Sequence, residues 1–193
     1  MRREKLYEIF SDIPTLESER LRLRGMRRQD ATDMFEYASR SDVTRFLLWS
    51  EHGSLGYTAE YLKYVESRYS VGDFYDFAVT LKESGKMIGS CGFAKIDTVN
   101  NFAELGYVLN PAYHHRGYAT EAARAMLEFG FGELGLHRIE ARFMEGNEPS
   151  RLLMERLGMK PEGFERDSVY VKGSYRTVGK YAILSSDFFG NKE

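Results

Sequence analysis

The most informative stretch of the chain is Glu104-Leu105-Gly106-Tyr107-Val108-Leu109-Asn110-Pro111-Ala112-Tyr113-His114-His115-Arg116-Gly117-Tyr118-Ala119-Thr120-Glu121-Ala122. Its pattern reads strand, loop, helix. A loop that delivers Gly117 to the start of a helix lets backbone amides approach an anion with no Cβ in the way, and the helix dipole adds positive potential there. Such a site suits a pyrophosphate, although a plain glycine turn has the same spacing. No Gly-Lys-Ser/Thr loop or Gly-x-Gly-x-x-Gly fingerprint follows a strand, so a nucleotide-phosphate enzyme ranks last. The four histidines, His52, His114, His115 and His137, lack the spacing of a metal site, and no catalytic metal is expected. Cys91 reads as a small buried thiol and Trp49 as a core or wall aromatic. Glu104 alternates with apolar neighbours as a solvent-facing strand carboxylate does, and Ser150 sits where helix capping selects a hydroxyl.

These residues need elements to position them. Arg20-Leu21-Arg22-Leu23-Arg24 alternates with period two, as a strand with one buried face would, after a weakly patterned start over residues 1–18. Asp30 opens a helix through Ala31, Met34, Phe35 and Ala38, its side chain placed to cap the first turn. Residues 43–56 are irregular around Trp49, and helical spacing resumes from Thr58 to about Tyr69. Strands are expected at Phe74–Leu81, Met87–Ile96 and Phe102–Leu109, joined by turns that favour antiparallel hairpins. A helix carrying Ala119, Ala122, Ala123, Met126 and Leu127 on one face runs to near Leu136. Then come a strand at His137–Met144, a short helix from Pro149 to Leu157, and a final hairpin of Val169–Val171 with Val178–Leu184. The pattern describes one mixed α/β unit over residues 1–193, with no repeats or linkers.

Composition narrows the function classes. A chain of 193 residues buries enough apolar surface for one well-packed domain. Its formal net charge of -2 provides no global field for phosphate backbones, and no local basic patch stands out, so a nucleic-acid partner is set aside. No run reaches the roughly 20 apolar residues of a bilayer-spanning helix, so no membrane partner is expected. The basic start Met1-Arg2-Arg3-Glu4-Lys5 is not followed by a signal-type apolar core, and a single cysteine fits a reducing compartment. Cytoplasm is the default location.

His114-His115-Arg116-Gly117-Tyr118-Ala119 resembles the phosphate loop of the GCN5-related N-acetyltransferase (GNAT) superfamily: Gln or Arg, two residues, Gly, one residue, then Gly or Ala. Gly117 and Ala119 match, while His114 stands where the family prefers Gln or Arg. The run from Glu104 to Ala122 is similar to the branch that includes the ribosomal-protein α-amino acetyltransferases. Glu19 to Arg24 resembles that branch's opening strand, and Asn147 to Met159 its Asn-Ser block before a short helix ending Leu-Gly-Met. The resemblance spans roughly residues 15–185. It implies a central mixed, mostly antiparallel sheet flanked by helices, in which the strands ending at Leu109 and near Met144 splay apart. It also implies acetyl-coenzyme A as cosubstrate, with direct transfer in a ternary complex. Pantetheine would fill the splay, where its amides can satisfy exposed main-chain groups as a surrogate strand. Val108, Leu109 and Asn110 would supply main-chain contacts, His115, Arg116, Gly117, Tyr118, Ala119 and Thr120 would wrap the pyrophosphate, and Asn147 would bond the pantetheine arm.

Amide formation from a thioester requires a neutral amine, stabilisation of charge on the acyl oxygen, and a proton for the departing thiolate. The resemblance places Glu104 as general base, the Leu109 N–H as oxyanion donor, and Ser150 as proton donor to the thiolate, with Tyr107, Tyr113 and Tyr118 in reserve. Trp49 would wall the acceptor. The leading acceptor is a protein amino terminus of the ribosomal-protein type, held in an open groove between the Trp49 region and the last hairpin. A polyamine or aminoglycoside would instead favour carboxylates such as Glu145, Glu148 and Glu162 around the site, and a non-catalytic acyl-coenzyme A binding module is the reading from another class. The oligomeric state is left open, a homo-oligomer included.

Overall fold

In the computed structural model, which describes residues 3–190, eight strands form one sheet. Met1 and Arg2 of the basic start, and the last three residues, lie outside the described range. The strands are β1 (Leu16–Glu17), β2 (Leu21–Arg24), β3 (Asp76–Leu81), β4 (Met87–Asp97), β5 (Phe102–Leu109), β6 (Arg138–Met144), β7 (Lys160–Val171) and β8 (Ser174–Leu184). Their order is β1-β2-β3-β4-β5-β6-β8-β7. Only β5 and β6 run parallel. Helices are α1 (Arg3–Ser11), α2 (Ala31–Ala38), α3 (Ser41–Thr44), α4 (Leu55–Tyr69), α5 (Tyr118–Gly132), α6 (Glu148–Arg156) and α7 (Ser185–Gly190). None is long and apolar enough to cross a membrane among the described residues.

Strand alternation divides the core into two layers. Phe77, Val79, Cys91, Ala103 and Leu105 face a cluster that includes Leu6 and Phe10 of α1, Ala122, Ala123, Met126 and Leu127 of α5, and Leu153 and Met154 of α6. Ala78 and Met87 face the opposite cluster with Met34, Tyr37, Leu62 and Val65 from α2 and α4, and Val108 packs against it. The small alanines of α5 let its backbone lie close over β4 and β5, which fixes where its amino end emerges.

Four features differ from the expectations above. The start forms α1, because Leu6 and Phe10 share one face and Phe10 packs edge-on against Tyr75 at 4.7 Å and Phe129 at 6.0 Å. Helix α4 begins three residues early, since Ser54 Oγ accepts the Tyr57 amide at 3.1 Å. Asp30 does not cap α2: its carboxylate accepts two bonds from Arg24, at 2.7 and 2.8 Å, and the Arg27 amide at 2.8 Å. The last hairpin is far longer than expected, because exposed polar residues of β7 carry no alternation and are held by the ladder to β8.

Candidate active site

The parallel pair β5 and β6 matches Phe102 with Arg138 through Leu105 with Ala141, and no further. Both strands continue beyond that point, β5 to Leu109 and β6 to Met144 alongside β8. The strands therefore part, and the register states which groups face the gap. The Asn110 amide donates to the Ile88 carbonyl at 2.7 Å, so antiparallel alternation puts the main-chain groups of Val108 in the ladder to β4 and those of Tyr107 and Leu109 on the open side. This corrects the expectation for Val108 and Asn110. Asn110 is buried, its carbonyl accepts the Tyr113 amide, its Oδ1 accepts the Ala112 amide, and its Nδ2 donates to Glu36. The Leu109 carbonyl is taken by His114, whose Nε2 donates at 3.0 Å. Its N–H keeps the gap-facing position.

The loop after β5 enters α5 through two left-handed residues, His115 at φ 60° and Gly117 at φ 81°. Glu121 N donates to the Gly117 carbonyl as the first helical bond, so the amides of Tyr118, Ala119 and Thr120 have no acceptor within the helix. Alternating handedness of this kind turns successive amides inward as a concave anion site. Arg20 braces the turn from β2's approach. Its Nη1 donates to the Arg116 carbonyl at 3.0 Å, its Nε donates to Glu121 at 2.8 Å, and its guanidinium lies 4.4 Å from the Tyr118 ring centre. Sequence reading missed this role, since Arg20 showed only strand alternation.

Gap and turn open onto one cavity of about 1030 Å³. Of the expected site residues, Trp49, Glu104, Val108, Leu109, His114, His115, Gly117, Tyr118, Ala119, Thr120, Asn147 and Ser150 line it, while Asn110 and Arg116 do not. One wall is built by residues 42–49 together with Phe74 and Tyr75, and Val169 and Val178 of the last hairpin stand opposite. Lys172 at the hairpin tip donates to the Thr44 carbonyl at 2.6 Å, tying the two walls at one end. Glu145, Glu148 and Glu162 are not among the lining residues; Glu148 pairs with Arg151 and Glu162 with Arg138.

Glu104 lies half-buried, 3.5 Å from Arg142 Nε. Desolvation raises its carboxyl above the usual range, against the lowering pull of the Arg142 charge. Ser150 is not the cap of α6, because Asn147 Oδ1 accepts the Ser150 amide at 3.4 Å. That leaves the Ser150 hydroxyl to pair with Tyr107 Oη at 2.8 Å. Burial pushes the Tyr107 phenol well up, so it stays protonated. Cys91 is buried with its thiol pushed far above the ordinary value by desolvation, which leaves no thiolate for nucleophilic attack. Arg142 approaches Glu104 through the sheet register and Tyr107 approaches Ser150 through the packing of α6, signals that linear spacing does not carry.

A sheet that parts beside a glycine-led helix start, with a carboxylate and a hydroxyl pair on the same cavity, defines an acyl-transfer architecture. The acetyltransferase (GNAT) domain model matches residues 20–160, and the chain belongs to that family. It is 32% identical over 178 residues to p20 of Bacillus licheniformis, an uncharacterised N-acetyltransferase, covering 92% of this chain and all of that one. YdaF of Bacillus subtilis, named as a candidate ribosomal N-acetyltransferase, is 28% identical over 91% of this chain and 97% of its own. The crystal structure of a GNAT-family acetyltransferase from Bacillus anthracis superposes with a TM-score of 0.81 at 31% identity, covering 90% and 99% of the two chains. The protein is an N-acetyltransferase.

Proposed function

We propose that this enzyme moves the acetyl group of acetyl-coenzyme A onto the amino-terminal α-amino group of a protein, by direct transfer with both substrates bound. One observation carries the reading: the Gly117 turn, the parting of β5 from β6, and Glu104 all open onto one cavity. Acetyl-coenzyme A, when bound, supplies the acyl group already activated as a thioester. The left-handed turn and the free amides of α5 suit its diphosphate, and the gap-facing edge of Tyr107 and Leu109, with Asn147 beside it, suits the amides of its pantetheine arm.

The remaining roles belong to the chain's own groups. The Leu109 N–H donates to the negative charge that develops on the acyl oxygen. Glu104 receives the proton of the amine, and its raised carboxyl pKa makes it a better base near neutral pH than an exposed glutamate. Ser150 Oγ, held by Tyr107, delivers a proton toward the departing sulfur. In this reading an extended peptide end lies between residues 42–49 and the last hairpin, both of which contribute to the cavity lining, and the likeness to YdaF supports that acceptor class.

The test is an acceptor screen, reading free thiol release with amino-terminal peptides of ribosomal proteins, polyamines and aminoglycosides. Turnover of the peptides is expected. Turnover confined to the small amines would move the acceptor class, and binding of acetyl-coenzyme A without turnover on any acceptor would reduce the site to a binding module. Glu104→Gln should lower kcat by about 10²–10⁴-fold with coenzyme A affinity kept. A fully active variant would remove Glu104 from the mechanism.

A further inference from the structure

Four carboxylates line the cavity: Asp42, Asp73, Asp76 and Glu104. Asp42 pairs with Arg40, Asp73 with Arg68, and Glu104 faces Arg142. Asp76 differs. Among the described residues no lysine or arginine forms a salt bridge with it, and its partners are the Phe77 amide, 3.1 Å from Oδ1, and the Ser90 hydroxyl. Asp76 is half-buried where it lines the cavity, and a carboxylate partly withdrawn from water without a cation is costly to keep ionised.

Among the described residues its surroundings supply no positive charge. Tyr37 from α2, Tyr61 and Tyr69 from α4, and Cys91 from β4 are the titratable groups close enough to feel Asp76, and its charge, added to their burial, pushes all four upward. The Asp76 carboxyl itself is pushed up to about 7, because desolvation outweighs the bonds from Ser90 and the Phe77 amide.

The register then shows what Asp76 looks onto. Asp76 pairs with Gly92, and Gly92 with Gly106, so the row across β3, β4 and β5 starts at a carboxylate and continues over two residues with no side chain. A Cβ on Gly92 would lie 2.8 Å from Asp76 Oδ1 and 2.3 Å from the Tyr75 carbonyl oxygen, so glycine there is what admits the carboxylate. At Gly106 an added Cβ would meet only Ala94 Cβ, at 4.0 Å, so the floor beside it is open. The Tyr75–Asp76 backbone and the carboxylate therefore lie over Gly92, and the open floor begins one strand further on at Gly106, about 4.8 Å away across the sheet. Glu104 stands two residues along β5 from Gly106, on the same face.

We propose that Asp76 binds a second, non-reacting cation of the acceptor, so that the preferred acceptor carries an ammonium or guanidinium one alkyl arm away from its reactive amine. This rests on the reading of the cavity as the acceptor site. A basic side chain next to a peptide amino terminus and the far end of a diamine both supply that chemistry, and matched acceptors tell them apart. Alanyl-arginine amide is compared with alanyl-citrulline amide, and diaminobutane with butylamine, each with saturating acetyl-coenzyme A.

The wild-type enzyme should favour the doubly charged member of at least one pair by about ten- to a hundredfold in kcat/KM. The preference should grow as pH rises through 7 and collapse toward unity in Asp76→Asn. The peptide pair responding alone assigns the cation to a basic residue of a protein terminus; the amine pair responding alone assigns it to a diamine. Equal use of both members of both pairs by the wild type, or an undiminished preference in an Asp76→Asn protein that still binds coenzyme A, overturns the proposal. Should no acceptor be acetylated, the acceptor-class reading fails separately, and calorimetry with the same pairs still decides: discrimination in binding that Asp76→Asn abolishes upholds the cation site, and equal binding ends it.

Discussion

The two ends of the cavity offer a ligand different kinds of group. Around Gly117 the holding groups are main-chain amides, set by two left-handed residues and the start of α5, with Arg20 and Glu121 bracing them from outside. Around Asp76 the groups are side chains drawn from separate elements: Trp49 from the segment after α3, Asp76 from β3, Ser90 from β4 and Glu104 from β5, beside the open floor at Gly106. A main-chain cradle suits a feature common to every substrate of a kind, here the diphosphate proposed above, and tolerates change in the side chains beside it. A side-chain trough recognises particular acceptors, and single substitutions can redirect it.

The largest effect should come from spoiling the cradle. Gly117→Glu places a Cβ at φ 81°, 3.4 Å from an Arg20 nitrogen, and a carboxylate where the anion belongs. Loss of measurable coenzyme A binding by calorimetry is expected, with the circular-dichroism spectrum retained. Next is Gly106→Val, which adds a strand-compatible side chain to the open floor. It should raise acceptor KM by about tenfold or more through lost fit, while coenzyme A affinity stays within about twofold. If instead Gly106→Val weakens coenzyme A and spares the acceptor, the division between the two ends is wrong.

A smaller effect is expected between the ends, at the hydroxyl pair. Ser150→Ala and Tyr107→Phe should each lower kcat by about tenfold, and the double variant should be no worse than the stronger single one, because two groups that pass one proton act as a unit. Additive losses in single-turnover kinetics would separate their roles.

The same division explains what could be read from the linear chain. The turn proposed as the cradle was legible as strand, loop and helix because its parts are contiguous: Leu109, His115, Gly117 and the alanines of α5 follow one another, and the periodicities change within that run. The parallel parting was legible only through family resemblance, since nothing in Phe102–Leu109 by itself says where pairing with β6 stops. Asp76 was not legible. It sits at the end of an apolar strand, and its importance depends on Gly92 and Gly106 falling opposite it across two ladders, a coincidence of register that no local pattern encodes. Asn110 is the opposite case: its place in the motif suggested the coenzyme, but its Oδ1 accepts the Ala112 amide in the turn that starts the loop.

The smallest expected effect bears on stability and probes the acceptor end without turnover. The Asp76 carboxyl is near 7 in the folded chain and near its ordinary 3.8 when unfolded, so the native state holds a proton that the unfolded chain has released. The resulting stability is full below about pH 4 and is lost as pH rises through 7. A rise of that size corresponds to about 4 kcal/mol at most, and because Asp76 is only half-buried, solvent screening reduces it to about 1–2 kcal/mol. Asp76→Asn removes the dependence, so at pH 8 the variant should melt about 3–6 °C above wild type, with the gap closing toward pH 5. Diaminobutane at pH 8 should narrow that gap by stabilising only the wild type, because a cation in the trough compensates the ionised carboxylate. Equal stabilisation of both proteins would place the diamine elsewhere, and a gap independent of pH would mean that the Asp76 carboxyl does not titrate in this range.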